Sequence, residues 1–488
     1  MSVTVKSSRA LAATNMISRS RPATGVCRAA TTQIRAQHSG RRRLHSTSHE
    51  NNGVAIPSIP QSETIPTSYS AQSNAAATAP LSCLTLPEVL RSYLITTMSS
   101  SPALLGASTN LLRKMLESKN PLFDLEKNPV MRIILWETFY KQFCAGADKD
   151  QISKRCNELR AQGYSGVILE NAREVLKDEA GHDEAEDIAY WKKGMLDTIE
   201  MAAPGDFLGL KWSGMGSAAM NRMAKEQDPS PDMAAAMHAV SKAAAAKNIG
   251  LLPSAEETWN LQGFHNWSLM MQREYNTKGK STIYTTYQMY LKQAPETLSK
   301  HLEIAEAEGF TLGAKLVRGA YLASEPRHLI HDTIQDTHHA YDSATAALIN
   351  RSYDSFLRPA TAGQTLFPNI NVVVASHNAN TVEKAQALRQ QQARSGQELT
   401  PLVYAQLQGM ADEVSCKLLA NAKAAKDDPN AVQEKVFKLT VWGTMQEALN
   451  YLLRRAAENK DAASRTGETR AAMQAELVRR CKATLGMA

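Results

Sequence analysis

From Asp148 onward, short apolar runs alternate with longer stretches whose apolar residues recur every three or four positions, and the rhythm repeats eight times. The runs predict strands over 166–169, 207–211, 249–253, 283–287, 313–317, 372–375, 402–405 and 436–441. Each is followed by at least ten residues of helical periodicity, as in 233–246 and 382–394. Strand and helix in strict alternation argue for an α/β fold with a parallel sheet, and eight repeats is the number that closes a (βα)8 barrel of the TIM type. An open doubly wound sheet satisfies the same alternation. The chain has no Gly-x-Gly-x-x-Gly turn between a strand and a helix, which weakens the usual dinucleotide site of such sheets.

Before Asp148 the pattern changes. Leu86, Val89, Leu90, Tyr93 and Leu94 recur at helical spacing, as do Leu111, Leu112 and Leu116, and then Ile133, Ile134, Trp136, Phe139 and Tyr140. Residues 81–147 are therefore expected to form a helical arm around a barrel spanning 148–465, with a helical tail over 466–488. Residues 50–80 are rich in Ser, Thr, Ala and Pro and carry too little apolar surface to offset their ordering entropy, so they read as a disordered linker.

Charge adds a compartment. Residues 1–49 hold nine Lys and Arg and no acid; removing these from the chain's 55 leaves 46 cations against 48 acids, near neutrality. An Arg-rich, Ser-rich, acid-free leader has the composition of a mitochondrial transit peptide, with cleavage expected near residues 40 to 50. A basic tail that binds nucleic acid or membrane has the same charge, but the neutral remainder gives no further sign of nucleic acid. The six cysteines form no C-x-x-C pair and read as reduced. No run approaches the roughly 18–20 apolar residues that span a bilayer, so any membrane contact is expected to be peripheral.

In such a barrel the chemistry sits at the C-terminal strand ends. There the sequence places Lys211, Ser254, Glu256, Gln288, Arg318, Tyr321, Ser376, His377, Asn378 and Gln406. Cations, amides and a histidine dominate, which suits an anionic ligand or a large polar cofactor better than a two-carboxylate hydrolase. The stretch Lys315-Leu-Val-Arg318-Gly319-Ala320-Tyr321 is a buried strand emerging at a polar site, with two small residues that let a ligand approach the backbone. On the last helix Tyr451, Arg454, Arg455 and Glu458 are three and four residues apart and share a face. Paired guanidinium groups oriented by a Glu can grip a carboxylate, although an exposed ion-pair stripe has the same spacing. The acidic run from Asp178 to Asp187 lacks the ligand spacing of a calcium loop, and the histidines between His328 and His339 lack a metal's ligand geometry.

Lys-Leu-Val-Arg-Gly-Ala-Tyr at 315–321, Ala-Ser-His-Asn at 375–378, Gln-Leu-Gln-Gly-Met at 406–410 and Tyr-Leu-Leu-Arg-Arg-Ala-Ala-Glu-Asn at 451–459 resemble, in that order, the motifs of proline dehydrogenase, over roughly residues 130–465. The resemblance implies a distorted (βα)8 barrel with FAD at its mouth. It implies oxidation of L-proline to Δ1-pyrroline-5-carboxylate by hydride transfer to flavin N5. Electrons would pass to a quinone at the matrix side of the mitochondrial inner membrane. Carried over by motif, Arg454 and Arg455 would hold the proline carboxylate, Glu458 would position Arg455, Tyr321 and Tyr451 would wall the ring, and Lys211 would face flavin and substrate. Gln288, Lys315, Val317, Arg318, Gly319, Ala320, His377, Asn378 and Gln406 would surround the flavin. No metal is implied.

Two positions depart from the family pattern. Ser254 stands where an Asp usually begins an Asp-Ala-Glu run, and Leu439 stands where the eighth strand usually carries a Tyr. A changed pocket leaves a hydroxyproline dehydrogenase open, the departures leave open a homologue that binds without turnover, and a Lys at a barrel strand end leaves open a Schiff-base lyase using Lys211.

Overall fold

The computed structural model describes residues 79–118, 120, 128–172, 183–277, 279–359, 366–458 and 463–487. The leader, most of the linker and the start of the acidic run lie outside the described residues. Eight strands form the barrel: β2 (Gly166–Asn171), β3 (Phe207–Leu210), β4 (Gly250–Pro253), β5 (Thr285–Gln288), β6 (Leu312–Val317), β7 (Ile370–Ala375), β8 (Leu402–Leu407) and β9 (Lys435–Trp442). They run parallel in the order β4-β3-β2-β9-β8-β7-β6-β5. The remaining gap between β4 and β5 is bridged where Leu251 pairs with Ile283, Leu251 N donating to Thr282 O at 2.6 Å and Tyr284 N to Leu251 O at 3.0 Å. The closed barrel, not the open sheet, is the architecture.

Alternation along each strand produces two apolar layers. One face of the strands joins the helices in the main core; the other fills the barrel with Ile168, Phe207, Leu252, Tyr284, Val373, Ala405 and Phe437. The Phe207 ring meets Phe437 edge-on at 5.0 Å and Tyr284 at 5.7 Å. Space for these rings comes from glycines on neighbouring strands. A Cβ at Gly250 would lie 2.4 Å from Phe207, and one at Gly166 would lie 2.5 Å from Phe437. Aromatic packing thus plugs the barrel towards its N-terminal end, and the polar residues collect at the opposite mouth.

The arm is fastened to that mouth. Its helices Leu86–Ser99 and Pro102–Glu117 each begin with a serine or threonine cap, the first as a reciprocal box between Thr85 and Glu88. Glu88 also meets Arg155 of the barrel's first helix at 3.0 Å. Strand β1 (Cys144–Gly146) ends the arm and pairs with β9, Cys144 opposite Val441. Tyr140 Oη donates to Gly443 O at 2.7 Å, and the Gln408 amide donates to Cys144 O at 3.0 Å. The chain's last helix, Ala463–Thr484, lies along Leu86–Ser99, with Arg480 donating to Leu84 O at 2.7 Å.

Phe207→Ala is expected to cost about 3–5 kcal/mol, because the ring is enclosed by rigid strands that cannot collapse into the void. The denaturant midpoint checks this; a shift equivalent to less than about 1 kcal/mol would show that the barrel interior is loosely packed.

Candidate active site

The helix Met445–Glu458 follows β9 directly, started at Thr444 by a reciprocal cap with Glu447. It buries Ala448, Leu449 and Tyr451. The four-residue step from Tyr451 to Arg455 brings the guanidinium over the phenol ring at 5.4 Å. Both residues line an apolar cavity of about 230 Å³ roofed by Ile95 and Met98 of the first arm helix and Leu105 and Leu112 of the second. The cavity reaches the barrel mouth at His377, Leu407 and Leu439. Arg454 is half-buried but does not line it, and the Glu458 side chain lies outside the described residues.

Across the mouth, Lys211 stands one residue beyond β3. Its ammonium donates to Tyr321 Oη at 3.4 Å, and Tyr321 Oη donates to Ala255 O at 2.9 Å. Burial pushes the Tyr321 hydroxyl up to about 12 against the opposing pull of the Lys211 and Arg455 charges, so it stays protonated at neutral pH. The Arg455 charge is near enough to bear on the Tyr321 hydroxyl, which puts the helix Met445–Glu458 and the β3 and β6 ends at one corner. Glu256 Oε1 accepts from Ser213 N at 3.4 Å, and Ser254 N donates to Leu210 O at 2.8 Å.

The residues expected around a cofactor divide into two groups. Lys315 belongs to the first: it is buried on β6, and its ammonium makes no hydrogen bond or ion pair with any described residue. Burial pushes its pKa down, Glu170 pulls it up and Lys211 pushes it down. A buried cation without a contact partner suits an electron-rich ligand. Val317, Gly319 and Ala320 follow it; Gly319 admits no side chain, because a Cβ would lie 2.3 Å from the Tyr290 ring. His377 accepts from Leu407 N through Nε2 at 3.1 Å and lines the cavity.

The second group holds the mouth together. Gln288 is buried and links Glu256 O at 3.0 Å to Ala320 N at 3.3 Å. Buried Gln406 ties Ser376 O to the Ser415 hydroxyl. Asn378 caps the helix Ala379–Arg394 by accepting from Thr381 N at 3.0 Å. Arg318 donates to His338, Ser376 and Thr381 at 3.0, 2.8 and 2.8 Å and lies over the Tyr341 ring at 4.5 Å. Its first task is to tie the β6 end to the loop after β7 and to the helices Ile334–Asn350 and Ala379–Arg394.

Strand-end reasoning left out Glu170 and the arm's roof. Glu170 ends a run of apolar residues in β2 and carried no motif, while the roof depends on a fold-back that periodicity cannot encode. No group of three or more His, Cys, Asp or Glu among the described residues is arranged to hold a metal ion.

Residues 152–468 match the family model described as proline dehydrogenase. Over 238 residues the chain is 37% identical to the probable mitochondrial proline dehydrogenase of Schizosaccharomyces pombe, covering 48% of this chain and 47% of that one. Over 359 residues it is 28% identical to mitochondrial proline dehydrogenase 1 of Caenorhabditis elegans, covering 71% and 55%. The human proline dehydrogenase 1 is 33% identical over 247 residues, covering 50% and 38%. The chain thus spans about half the length of these curated relatives, or less. Among solved structures, proline utilization A from Bdellovibrio bacteriovorus superposes with a TM-score of 0.55 at 15% identity over 72% of this chain and 37% of that one, a likeness of fold.

Lys315→Met is expected to stabilise the ligand-free protein at neutral pH. The unfolded lysine binds its proton up to the ordinary range near 10.4, whereas the folded one releases it earlier, so wild-type stability rises with pH through that window. The variant's advantage should therefore shrink as pH climbs, as read from denaturation midpoints. An advantage that is absent at neutral pH would place the ammonium in solvent.

Proposed function

Since this chain belongs to the proline dehydrogenase family, we propose that it oxidises L-proline to Δ1-pyrroline-5-carboxylate with FAD bound at the barrel mouth. The observation that carries this reading is the cationic barrel mouth, with Arg455 seated on Tyr451 in the cavity that reaches His377 and Leu439, and Lys211 donating to Tyr321 across from it.

Proline offers a carboxylate, an apolar ring and an amine on the carbon to be oxidised. In this proposal Arg455, aided by Arg454, receives the carboxylate in fork geometry, and Glu458 orients Arg455. Tyr451, Tyr321 and Leu439 wall the ring. Lys211 keeps the corner positive, which favours the neutral amine required before the carbon–hydrogen bond can break. Product formation removes a hydride from the ring carbon and a proton from nitrogen. The residues fit a flavin: Lys315 would face its ring, where a cation favours the negative charge that reduction brings, His377 and the Gly319–Ala320 backbone would border it, and the Asn378-capped helix would aim backbone N–H groups at its phosphates. When bound, the flavin supplies the two-electron acceptor. The protein's part is to orient the substrate and exclude water.

Relatives named as mitochondrial support a mitochondrial site, and a quinone is the final acceptor in this reading. No helix among the described residues is long and apolar enough to cross a membrane. Peripheral contact is supported by the arm's outward apolar row, with Leu86 48% and Leu94 61% exposed. Leu439 favours one second reading, because a wall without a hydroxyl there changes how the pocket meets a hydroxylated ring; turnover of hydroxyproline beside proline compares the two.

Anaerobic L-proline should bleach the visible flavin bands of the purified protein. Arg455→Met should keep those bands and raise KM for proline by about 100-fold or more, the scale for truncating one partner of a desolvated charge pair. A colourless protein would overturn the cofactor assignment, and an unchanged KM would move the carboxylate grip elsewhere.

A further inference from the structure

Two cysteines lie 333 positions apart in the chain yet place their sulfurs 3.1 Å apart. Cys83 ends the short turn Pro80–Cys83 that opens the arm, and Cys416 sits in the helix Asp412–Ala425 that follows β8. We propose that Cys83 and Cys416 are an oxidation-sensitive pair that a hydroperoxide converts to a disulfide, tethering the arm's root to the barrel.

Access separates the roles of the two thiols. Cys83 is half-buried, Cys416 is fully buried, and both line an open cavity of about 1110 Å³ beneath the arm, separate from the site already described. The hydrogen bond between the two thiols holds Cys83 below the usual thiol value, and the same bond, with burial, pushes Cys416 up. Burial, then Asp412 and Glu88, oppose the shift at Cys83, and Lys438 opposes it at Cys416. Cys83 is therefore the attacking sulfur and Cys416 the resolving one. Burial pushes the thiols of Cys144, which lines the same cavity, and of Cys156 up to about 12 and about 11, which keeps them in the unreactive protonated form.

The step balances with one hydroperoxide. Cys83 sulfur attacks a peroxide oxygen, the oxygen–oxygen bond breaks, and the leaving oxygen departs as water or alcohol, giving a sulfenic acid. Cys416 sulfur then attacks Cys83 sulfur; the sulfur–sulfur bond forms, and the sulfenic oxygen leaves as water with the Cys416 proton. The pair loses two electrons and the peroxide gains them.

The bond would act on the roof of the catalytic cavity. The helix that begins three residues after Cys83 contributes Ile95 and Met98 to that roof, and the turn leading into the Cys416 helix contributes Met410 and Ala411 to its wall. At present the arm's root is held by Leu81, Leu84 and Val89 packing on Cys416 and Met473, and by Arg480 on the Leu81 and Leu84 carbonyls. A disulfide adds a covalent tie at that point and limits how far the roof lifts.

The test treats the purified full chain with hydrogen peroxide, alkylates the remaining thiols, and maps tryptic peptides without reduction. The expected product is a cross-linked peptide pair containing Cys83 and Cys416, lighter by about 2 Da than the reduced pair. It should be lost on adding dithiothreitol and absent from both Cys83→Ser and Cys416→Ser. Proteolysis within the arm should slow several-fold in the oxidised protein and recover on reduction. Peroxide that modifies exposed Cys481 while Cys83 and Cys416 both remain alkylatable would overturn the proposal. So would over-oxidation of Cys83 with no cross-link formed.

Discussion

The mouth of the barrel is organised by one constraint: the last barrel helix must turn back over the strand ends so that Arg455 lies against Tyr451 and within electrostatic reach of Tyr321. The helix can do this only because Gly443 and the Thr444–Glu447 cap redirect the chain immediately after β9. Tyr140, donating to the Gly443 carbonyl, fixes that turn from the arm's side. The arm and the β9 turn with its following helix, distant in the chain, therefore settle together. A cation held on an aromatic face keeps its charge while shedding water, the state in which it discriminates best for a carboxylate.

Around this corner the structure separates groups whose hydrogen bonds build the mouth from a buried cation that makes none with the described residues. Arg318, Gln288, Gln406 and Asn378 are engaged with neighbouring loops, and their hydrogen bonds make the strand ends rigid. Lys315 has no such engagement among the described residues and is held in the interior at a cost to its charged state. Burying a cation this way weakens the ligand-free fold. Proteins retain such groups where a ligand's electron density offsets the penalty.

Much of this architecture was legible in the chain. The strands fall within one or two residues of the short apolar runs, because burial on both faces of a parallel barrel leaves a continuous apolar signal. The exception shows why: the run beginning at Ile283 was expected as strand from its first residue, but Ile283 forms only an isolated bridge across the closing gap, and regular pairing starts at Thr285. Spacing also gave the shared face of Tyr451 and Arg455. It did not give the difference between Arg454 and Arg455, which depends on how the helix is rotated against the arm. The arm's roof and the meeting of Cys83 with Cys416 were invisible for the same reason, since contacts over hundreds of residues leave no local pattern.

The central claim is that Arg455 reads the substrate's carboxylate at this corner. Comparing kcat/KM for L-proline with that for pyrrolidine, the same ring without its carboxylate, isolates that contribution in wild type and in Arg455→Met. The account predicts a strong wild-type preference for proline that falls by about 100-fold or more in the variant. A preference that survives the substitution intact would mean that the carboxylate is held by another group, and the reading of the barrel mouth would fail.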